Sequence, residues 1–218
     1  MALFAVIDVE TTGLAAAQGD RVVELAVIVL DDRFRVLRML DSLVHPQRSI
    51  PGRVSQLHGI SDRDVREAPT FAELLPMLME CLDGVTHMVA HNIEFDLGFL
   101  RSEMKQCGLR MPRSFAQVCT MQLARQHGVA RDAKLSTVAA ALRIPTVANV
   151  HRAIVDAGIT ARILSLLHES ENGKASGPIR WVPHHVMAEH RPALPRKAPA
   201  IPLQALFQFG LSIAGSGD

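Results

Sequence analysis

The hydrophobic residues of this 218-residue chain change their spacing near residue 45. Before that point, three apolar runs are separated by short polar segments, a pattern typical of consecutive antiparallel strands. After it, two further strand-like runs alternate with segments of helical spacing, which predicts an α/β fold, a mixed five-stranded sheet with helices on both faces. The predicted strands are Phe4 to Asp8, Arg21 to Leu30, Leu37 to Val44, Val85 to Ala90 and Phe115 to Cys119.

Five segments after residue 45 have helical spacing. Thr70 is a suitable N-cap for the first of them and Gly108 a suitable end for the second. Pro76 predicts a late start or a kink in the first helix. The predicted helices are Phe71 to Leu82, Phe95 to Cys107, Met121 to Gln126, Leu135 to Leu142 and Arg152 to His168.

The last 47 residues differ in composition from the rest of the chain. They contain six of the twelve prolines and carry a formal charge of +3, which leaves −2 for residues 1–171. A proline-rich segment with weak periodicity is typical of a linker or docking segment. We therefore expect one domain over residues 1–171 and a flexible tail over residues 172–218.

Composition and charge exclude several classes of protein. Three cysteines without CxxC spacing argue against a disulfide framework or a structural zinc site, and favour a reducing, cytoplasmic compartment. Neither a signal peptide nor an apolar run long enough to span a membrane is recognisable, so no membrane partner is expected. A net charge of +1 excludes a strongly basic nucleic-acid coat, but it allows a nuclease that holds phosphate through metal ions.

Asp8 and Glu10 are the first candidate site residues. They stand two residues apart on or just past the end of the first strand, where the period of two directs both carboxylates to the same face. Two such acids repel each other unless a cation lies between them. The alternative is a solvated turn, because Thr11, Thr12 and Gly13 follow.

Asp96 is the second candidate. It follows the fourth predicted strand and lies in the first turn of the next helix, where the carboxyl ends of sheet strands commonly hold ligands. The alternative is an acid that only complements the helix dipole, and Glu94 is a competing acid two residues away.

His151 and Asp156 form the third candidate pair. On one helix they would point about 140° apart, so His151 must precede the helix if both are to reach one site. Asn149 is a suitable capping residue before it. A partly solvated imidazole exchanges protons near neutral pH and suits general-base work on water. The alternative is an ordinary exposed loop histidine.

Four carboxylates from three distant segments match the ligands that a pair of hard divalent cations requires. Such a pair would activate water and stabilise a leaving oxygen. The set therefore predicts phosphodiester hydrolysis.

Three motifs carry a resemblance that covers roughly residues 3–168. They are FAVIDVETTGL at Phe4 to Leu14, HNIEFDLGFL at His91 to Leu100, and HRAIVDA at His151 to Ala157. Leu57 to Ile60 and Ala68 to Phe71 add shorter family-like segments. In these motifs the chain resembles the DnaQ-like exonucleases, the DEDDh branch of the 3′-5′ exonucleases, which have a ribonuclease-H-like fold.

The resemblance assigns a role to each motif residue. Asp8, Glu10, Asp96 and Asp156 would be the ligands of two Mg²⁺ or Mn²⁺ ions, and His151 would deprotonate the attacking water. The Thr11 backbone and the Leu14 side chain would hold the terminal nucleotide, although Leu14 could equally be a core residue under the turn. His91 and Asn92 could contact substrate or only bond the loop. The other branch of the superfamily uses a tyrosine base, and this chain has no tyrosine.

The implied activity is the release of nucleoside 5′-monophosphates from DNA 3′ ends, single-stranded or frayed, in proofreading or repair. Thr11 favours DNA over RNA, since the oligoribonuclease group typically has Met there. The alternatives are an exoribonuclease that trims RNA 3′ ends and a non-catalytic docking subunit on the same fold. In the tail, Leu203 to Phe207 could dock on a DNA polymerase or a sliding clamp.

Overall fold

The computed structural model describes residues 2–111, 114–146 and 151–172, and the two-residue strands at 180–181 and 212–213. Its strands are β1 Phe4–Thr11, β2 Val22–Leu30, β3 Val36–Leu43, β4 His87–Ala90, β5 Ala116–Cys119, β6 Arg180–Trp181 and β7 Ser212–Ile213. They form one sheet in the order β5-β4-β1-β2-β3-β6-β7.

The first five strands form the mixed sheet that the sequence predicts. β1, β2 and β3 pair antiparallel, whereas β4 pairs parallel with β1, and β5 pairs parallel with β4. β6 and β7 extend the sheet beyond β3 and lie within the segment predicted to be a tail. The division into a domain and a tail stays a prediction.

All five predicted helices are present, with bounds shifted by a few residues. Two short helices, α1 (Gly52–His58) and α2 (Asp62–Val65), were not predicted, because each buries a single residue and shows no repeating apolar face. They are held instead by local signals, such as the capping box between Ser61 and Asp64 at the start of α2. The helices are α1 Gly52–His58, α2 Asp62–Val65, α3 Phe71–Cys81, α4 Ile93–Gln106, α5 Thr120–Gln126, α6 Leu135–Ala141 and α7 Ala153–Asn172.

Pro76 does not delay α3, which begins at Phe71. Thr70 Oγ1 accepts a hydrogen bond from the Glu73 amide, and the Glu73 carboxylate accepts one from the Thr70 amide. This capping box stabilises the first turn and offsets the backbone hydrogen bond that Pro76 cannot donate.

The helices cover both faces of the sheet. One hydrophobic cluster joins α7 to β2 and includes Ile28 and Ile163, and the other joins α3 and α4 to the opposite face and includes Ile7 and Phe99. Every residue of β2 is buried, which explains why its sequence is a nearly continuous apolar run rather than an alternating one. Within the described ranges, no helix is long and apolar enough to cross a membrane.

Candidate active site

Asp8 and Glu10 lie inside β1 and not past its end, which corrects the predicted strand boundary. Pairing with β2 continues to Thr11, through Glu10 opposite Glu24 and across an irregularity that follows Glu10. The extended ladder fixes both backbones, and the two side chains point to the same face of the sheet. Both are partly buried.

Asp156 completes a group of three acids. It lies in the first turn of α7, and carboxylate oxygens of Asp8, Glu10 and Asp156 all lie within 4.8 Å of one another. Two of these acids come from a strand near the start of the chain and the third from a helix about 150 residues later. The fold therefore assembles a compact set of oxygen donors of the kind that hard divalent cations prefer.

Asp96 lies near this group, but it is not one of the three acids whose carboxylate oxygens lie within 4.8 Å of one another. Its side chain is buried in the first turn of α4, and Oδ1 accepts a hydrogen bond of 3.2 Å from the Val9 amide. Val9 stands between Asp8 and Glu10, so this bond ties the start of α4 to the strand that carries them. Asp96 is close enough for its charge to raise the pKa of Asp8.

The four acids have raised pKa values, and removal from water is the largest cause for each. Burial first, and then the charges of Asp96, Asp156 and neighbouring acids, raise the pKa of Asp8 well above its usual range. Burial is also the main cause that raises the pKa of Glu10 to about 8, that of Asp96 to about 8 and that of Asp156 to about 6. The group therefore favours a bound proton or a bound cation over four free negative charges.

His151 stands before α7, where the geometric argument from the sequence requires it. Its Nδ1 lies 3.8 Å from Asp156 Oδ2, and its side chain is 53% exposed. Asn149, the predicted capping residue, lies outside the described residues. The imidazole is thus open to water and adjacent to the acid group.

Glu24 and Arg152 belong to the same region, and the sequence reasoning missed both. Glu24 is fully buried on β2, where it contacts Arg152 and the amide of Ala153 at the start of α7. A signal was available: Glu24 interrupts the apolar run of the second predicted strand, and a buried carboxylate requires a partner.

The candidate nucleotide-binding segment is a loop held by Asp20. The Asp20 carboxylate accepts hydrogen bonds from the Thr12 hydroxyl and from the Ala15 amide. A Cβ added at Gly13 would lie 2.2 Å from Asp20, so glycine is required for this close approach. Leu14 is 85% exposed, which excludes the alternative of a core residue under the turn. Thr11 is buried, and its hydroxyl donates to the Gly13 carbonyl.

His91 hydrogen-bonds the start of α5 and the segment before α6. Its Nε2 lies 2.8 Å from the Ala133 carbonyl oxygen and its Nδ1 lies 2.9 Å from Thr120 Oγ1. Since the carbonyl can only accept, Nε2 carries the proton and Nδ1 accepts from the hydroxyl. Burial lowers the pKa of His91, in keeping with a neutral ring. These contacts favour the loop-bonding alternative for His91, whereas the Asn92 side chain is exposed and forms no capping bond.

Comparison with known proteins places these observations in a family context. The model of the RNase T family, described as an exonuclease family, matches residues 5–164. DNA polymerase III subunit epsilon of Treponema pallidum is 32% identical over 176 residues, which are 78% of this chain and 80% of that protein. A Mycobacterium tuberculosis protein whose name describes a bifunctional exonuclease/endonuclease is 35% identical over 199 residues, which are 88% of this chain and 29% of that longer protein.

A solved structure shares the fold over most of the chain. The complex of exonuclease X with 5′ overhanging duplex DNA superposes with a TM-score of 0.60 and 26% sequence identity. The match covers 81% of this chain and 95% of that one. The ribonuclease-H-like arrangement expected from the sequence motifs is therefore present.

Proposed function

The chain belongs to the RNase T exonuclease family, and we propose that it is a metal-dependent 3′-5′ exonuclease that releases nucleoside 5′-monophosphates from DNA. The observation that carries this proposal is the approach of Asp8, Glu10 and Asp156 within 4.8 Å, with Asp96 beside them. His151 precedes Asp156 in the chain and supplies a solvent-accessible base beside it. Nuclease chemistry accounts for an acid group and a base together, whereas a docking subunit requires neither.

The acid group fits divalent cations. Its donors are all carboxylate oxygens, and raised pKa values show that the ionised forms are costly without a positive charge among them. Asp8, Glu10, Asp96 and Asp156 would hold two Mg²⁺ or Mn²⁺ ions. When bound, such ions lower the pKa of water and neutralise charge that develops on phosphate oxygens.

His151 acts as the general base in this proposal. Its exposed ring can accept the proton of an attacking water, and the Asp156 carboxylate lies 3.8 Å from Nδ1, where it stabilises the positive charge that the ring gains. The chain has no tyrosine, so the base used by the other branch of the superfamily is unavailable. The water oxygen bonds to phosphorus as the P–O3′ bond breaks, the released 3′ oxygen takes a proton from water, and the proton on the ring returns to water from its open side.

The loop at Thr11 to Leu14 would receive the 3′-terminal nucleotide. The exposed Leu14 side chain offers apolar surface to a base or sugar, and the Thr11 backbone lies directly after Glu10. DNA is supported as the substrate by the similarity to a polymerase epsilon subunit and to exonuclease X, whose solved complex contains duplex DNA. A proofreading or repair role follows from the same similarity.

A polymerase or sliding-clamp partner is a further part of the proposal. The segment Leu203 to Phe207, which lies outside the described residues, would dock on it through a tail over residues 172–218. The epsilon-like similarity supports this assignment, because a subunit of that name works within a polymerase assembly.

Matched oligonucleotides test the proposal. DNA and RNA of one sequence, each labelled at the 5′ end, are incubated with the protein in Mg²⁺, in Mn²⁺ and in excess chelator. Single-stranded, mismatched and paired 3′ ends are compared, with the Asp8→Asn protein as a control for contaminating nucleases. We expect a ladder of DNA shortened from the 3′ end, dependent on metal and fastest for unpaired ends. Faster loss of RNA would identify an exoribonuclease, and no loss of either would leave only the docking alternative.

A further inference from the structure

Glu24 is a fifth carboxylate in contact with the site region, and it occupies an unusual position. It lies on β2 directly opposite Glu10 in the antiparallel register, so both side chains leave the sheet on the same face. It is fully buried, with 0% of its surface exposed. Its charge contributes to the raised pKa values of Asp8 and Glu10. A fifth acid therefore adds repulsion to the acid group, and its presence there requires a favourable contribution that offsets this repulsion.

Both carboxylate oxygens of Glu24 are occupied by protein donors. Oε1 accepts from Arg152 Nε at 2.7 Å and contacts the second guanidinium nitrogen, whereas Oε2 accepts from the Ala153 amide at 2.9 Å. Glu24 is accordingly not part of the group of three acids with closely spaced oxygens. Glu24 holds the start of α7, and the other acids would coordinate the cations.

The contacts of Glu24 determine how α7 meets the sheet. Buried apolar residues such as Ile154 and Val155 press α7 onto the sheet, but apolar packing is non-directional and resists sliding or rotation weakly. A guanidinium fork and a backbone amide on one carboxylate impose a specific direction and distance. The Ala153 amide stands at a helix N-terminus, where no carbonyl of the helix can accept from it and a negative charge is favourable.

The residues that Glu24 contacts are adjacent to the reacting groups. Arg152 directly follows His151, and Ala153 stands three residues before Asp156 in the same first helical turn. A shift of this turn by one ångström would move the Asp156 carboxylate and the imidazole relative to Asp8 and Glu10, which are fixed in β1. Arg152 also lowers the pKa of Glu10, so its positive charge offsets part of the repulsion.

We propose that Glu24 and Arg152 are positioning residues that set Asp156 and His151 against the acids of β1. The inference rests on the proposed function for its kinetic consequence, but the positioning itself is a property of the protein without substrate. A buried ion pair contributes little net stability on average, so stability alone does not account for the pair. Positioning does account for it, because small displacements of reacting groups have large effects on rate.

The test uses Glu24→Gln in the full chain. The amide side chain has a single acceptor oxygen and cannot satisfy both Arg152 and the Ala153 amide, although its size is unchanged. Arg152→Lys is the partner variant, because it retains the charge and loses the fork.

Asp31→Asn is the matched control. Asp31 is also buried, just past the other end of β2, and its carboxylate accepts from the amides of Arg33 and Arg35 and from Arg35 Nε. Seven residues of strand place it about 23 Å from Glu24. The control thus removes a buried carboxylate of the same kind far from the site.

Two readouts are compared at a temperature well below the unfolding midpoint of every variant. In steady-state degradation of labelled DNA, Glu24→Gln and Arg152→Lys should lower kcat about 10- to 100-fold, the size typical of groups that orient metal ligands, with little change in KM. In hydrogen exchange of the metal-free protein, amides of residues 153–156 should exchange faster in Glu24→Gln than in wild type. Asp31→Asn should leave both kcat and exchange in this turn as in wild type.

The outcomes separate the inference from the proposed function. Unchanged kcat and unchanged exchange in Glu24→Gln would overturn the positioning role, as would an equal loss of kcat in Asp31→Asn. If the wild-type protein degrades neither DNA nor RNA, the proposed function fails, and the exchange measurement still decides whether the pair positions the turn.

Discussion

The two halves of the candidate site are built in different ways. Asp8, Glu10 and Asp96 belong to β1 and to the start of α4, which a hydrogen bond from Val9 ties together. His151 and Asp156 belong to the start of α7, where contacts with Glu24 reach the sheet. The first half is held by backbone hydrogen bonds in the middle of the sheet. The second is held by side-chain contacts at the start of α7.

This difference matches what the two halves would do. Acids that hold cations benefit from a rigid, poorly hydrated setting, and the pKa values of Glu10 and Asp96 reach about 8 there. A base must exchange protons with water, and the His151 ring is accordingly exposed. The proposed ligands and the proposed base thus belong to elements of the fold that are held in different ways.

Removal of an acid from the half on β1 and α4 should have the largest effect on activity. Asp8→Asn should lower exonuclease activity on the order of 10⁴-fold or more, since several kcal/mol of charge stabilisation are lost in the transition state. The measurement is the rate of DNA degradation at saturating metal. Glu94→Gln is the matched control, because Glu94 is an exposed acid near Asp96 that pairs only loosely with Arg101. Activity retained in Asp8→Asn would contradict the site and the function together.

Loss of the proposed base at the start of α7 should have a smaller effect on turnover. His151→Ala should lower kcat on the order of 10² to 10⁴-fold, whereas Mn²⁺ binding measured by calorimetry should largely persist. A kcat in His151→Ala equal to that of wild type would count against His151 as the base.

The acids on β1 and α4 should also change how the stability of the metal-free protein depends on pH. The pKa values of Asp8, Glu10 and Asp96 are raised in the folded state, so the folded chain binds more protons than the unfolded chain between about pH 4 and pH 8. Their contribution to stability is therefore full below about pH 4 and is lost as pH rises toward 8. Asp8→Asn removes part of this loss and should be more stable than wild type, by a margin that grows from pH 5 to pH 8.

Chemical denaturation of both metal-free proteins at several pH values provides the measurement. Titration of His58 and His91, whose pKa values are lowered by burial, is common to both proteins and cancels in the difference. Added Mn²⁺ should stabilise wild type more at pH 8 than at pH 5, because it binds the ionised acids. A stability difference between Asp8→Asn and wild type that shrinks with rising pH would contradict the cost of ionising these acids in the folded state.

Leu14, which belongs to neither half, should have the smallest effect. Partial burial of its side chain against a nucleotide is worth about 1 kcal/mol, so Leu14→Ala should raise KM roughly fivefold with little change in kcat. Because the side chain is exposed, the free energy of unfolding should change by less than about 0.5 kcal/mol. An unaltered KM for both single-stranded and mismatched DNA would exclude Leu14 from the substrate contact.

Hydrophobic spacing predicted most of the fold because strands and helices have distinct periods. The first five strands and the helices α3 to α7 follow from it, and the Thr70 cap follows from a local rule. α1 and α2 were not predicted because each buries a single residue, His58 and Val65 respectively, so neither segment shows a repeating apolar face. The end of β1 was placed too early, since the pairing that carries it to Thr11 depends on β2.

The identity of the acids and of the candidate base was determined by the sequence itself, since motif order and residue type specify which groups are present. Their assembly was decided only by the tertiary structure, which places Asp156 within 4.8 Å of acids about 150 residues away. The structure alone also distinguished the Glu24 contact with Arg152, the loop bonds of His91 and the exposure of Leu14. The physical reason is that a side chain's type is local, whereas its partners and its access to water depend on which distant segments pack beside it.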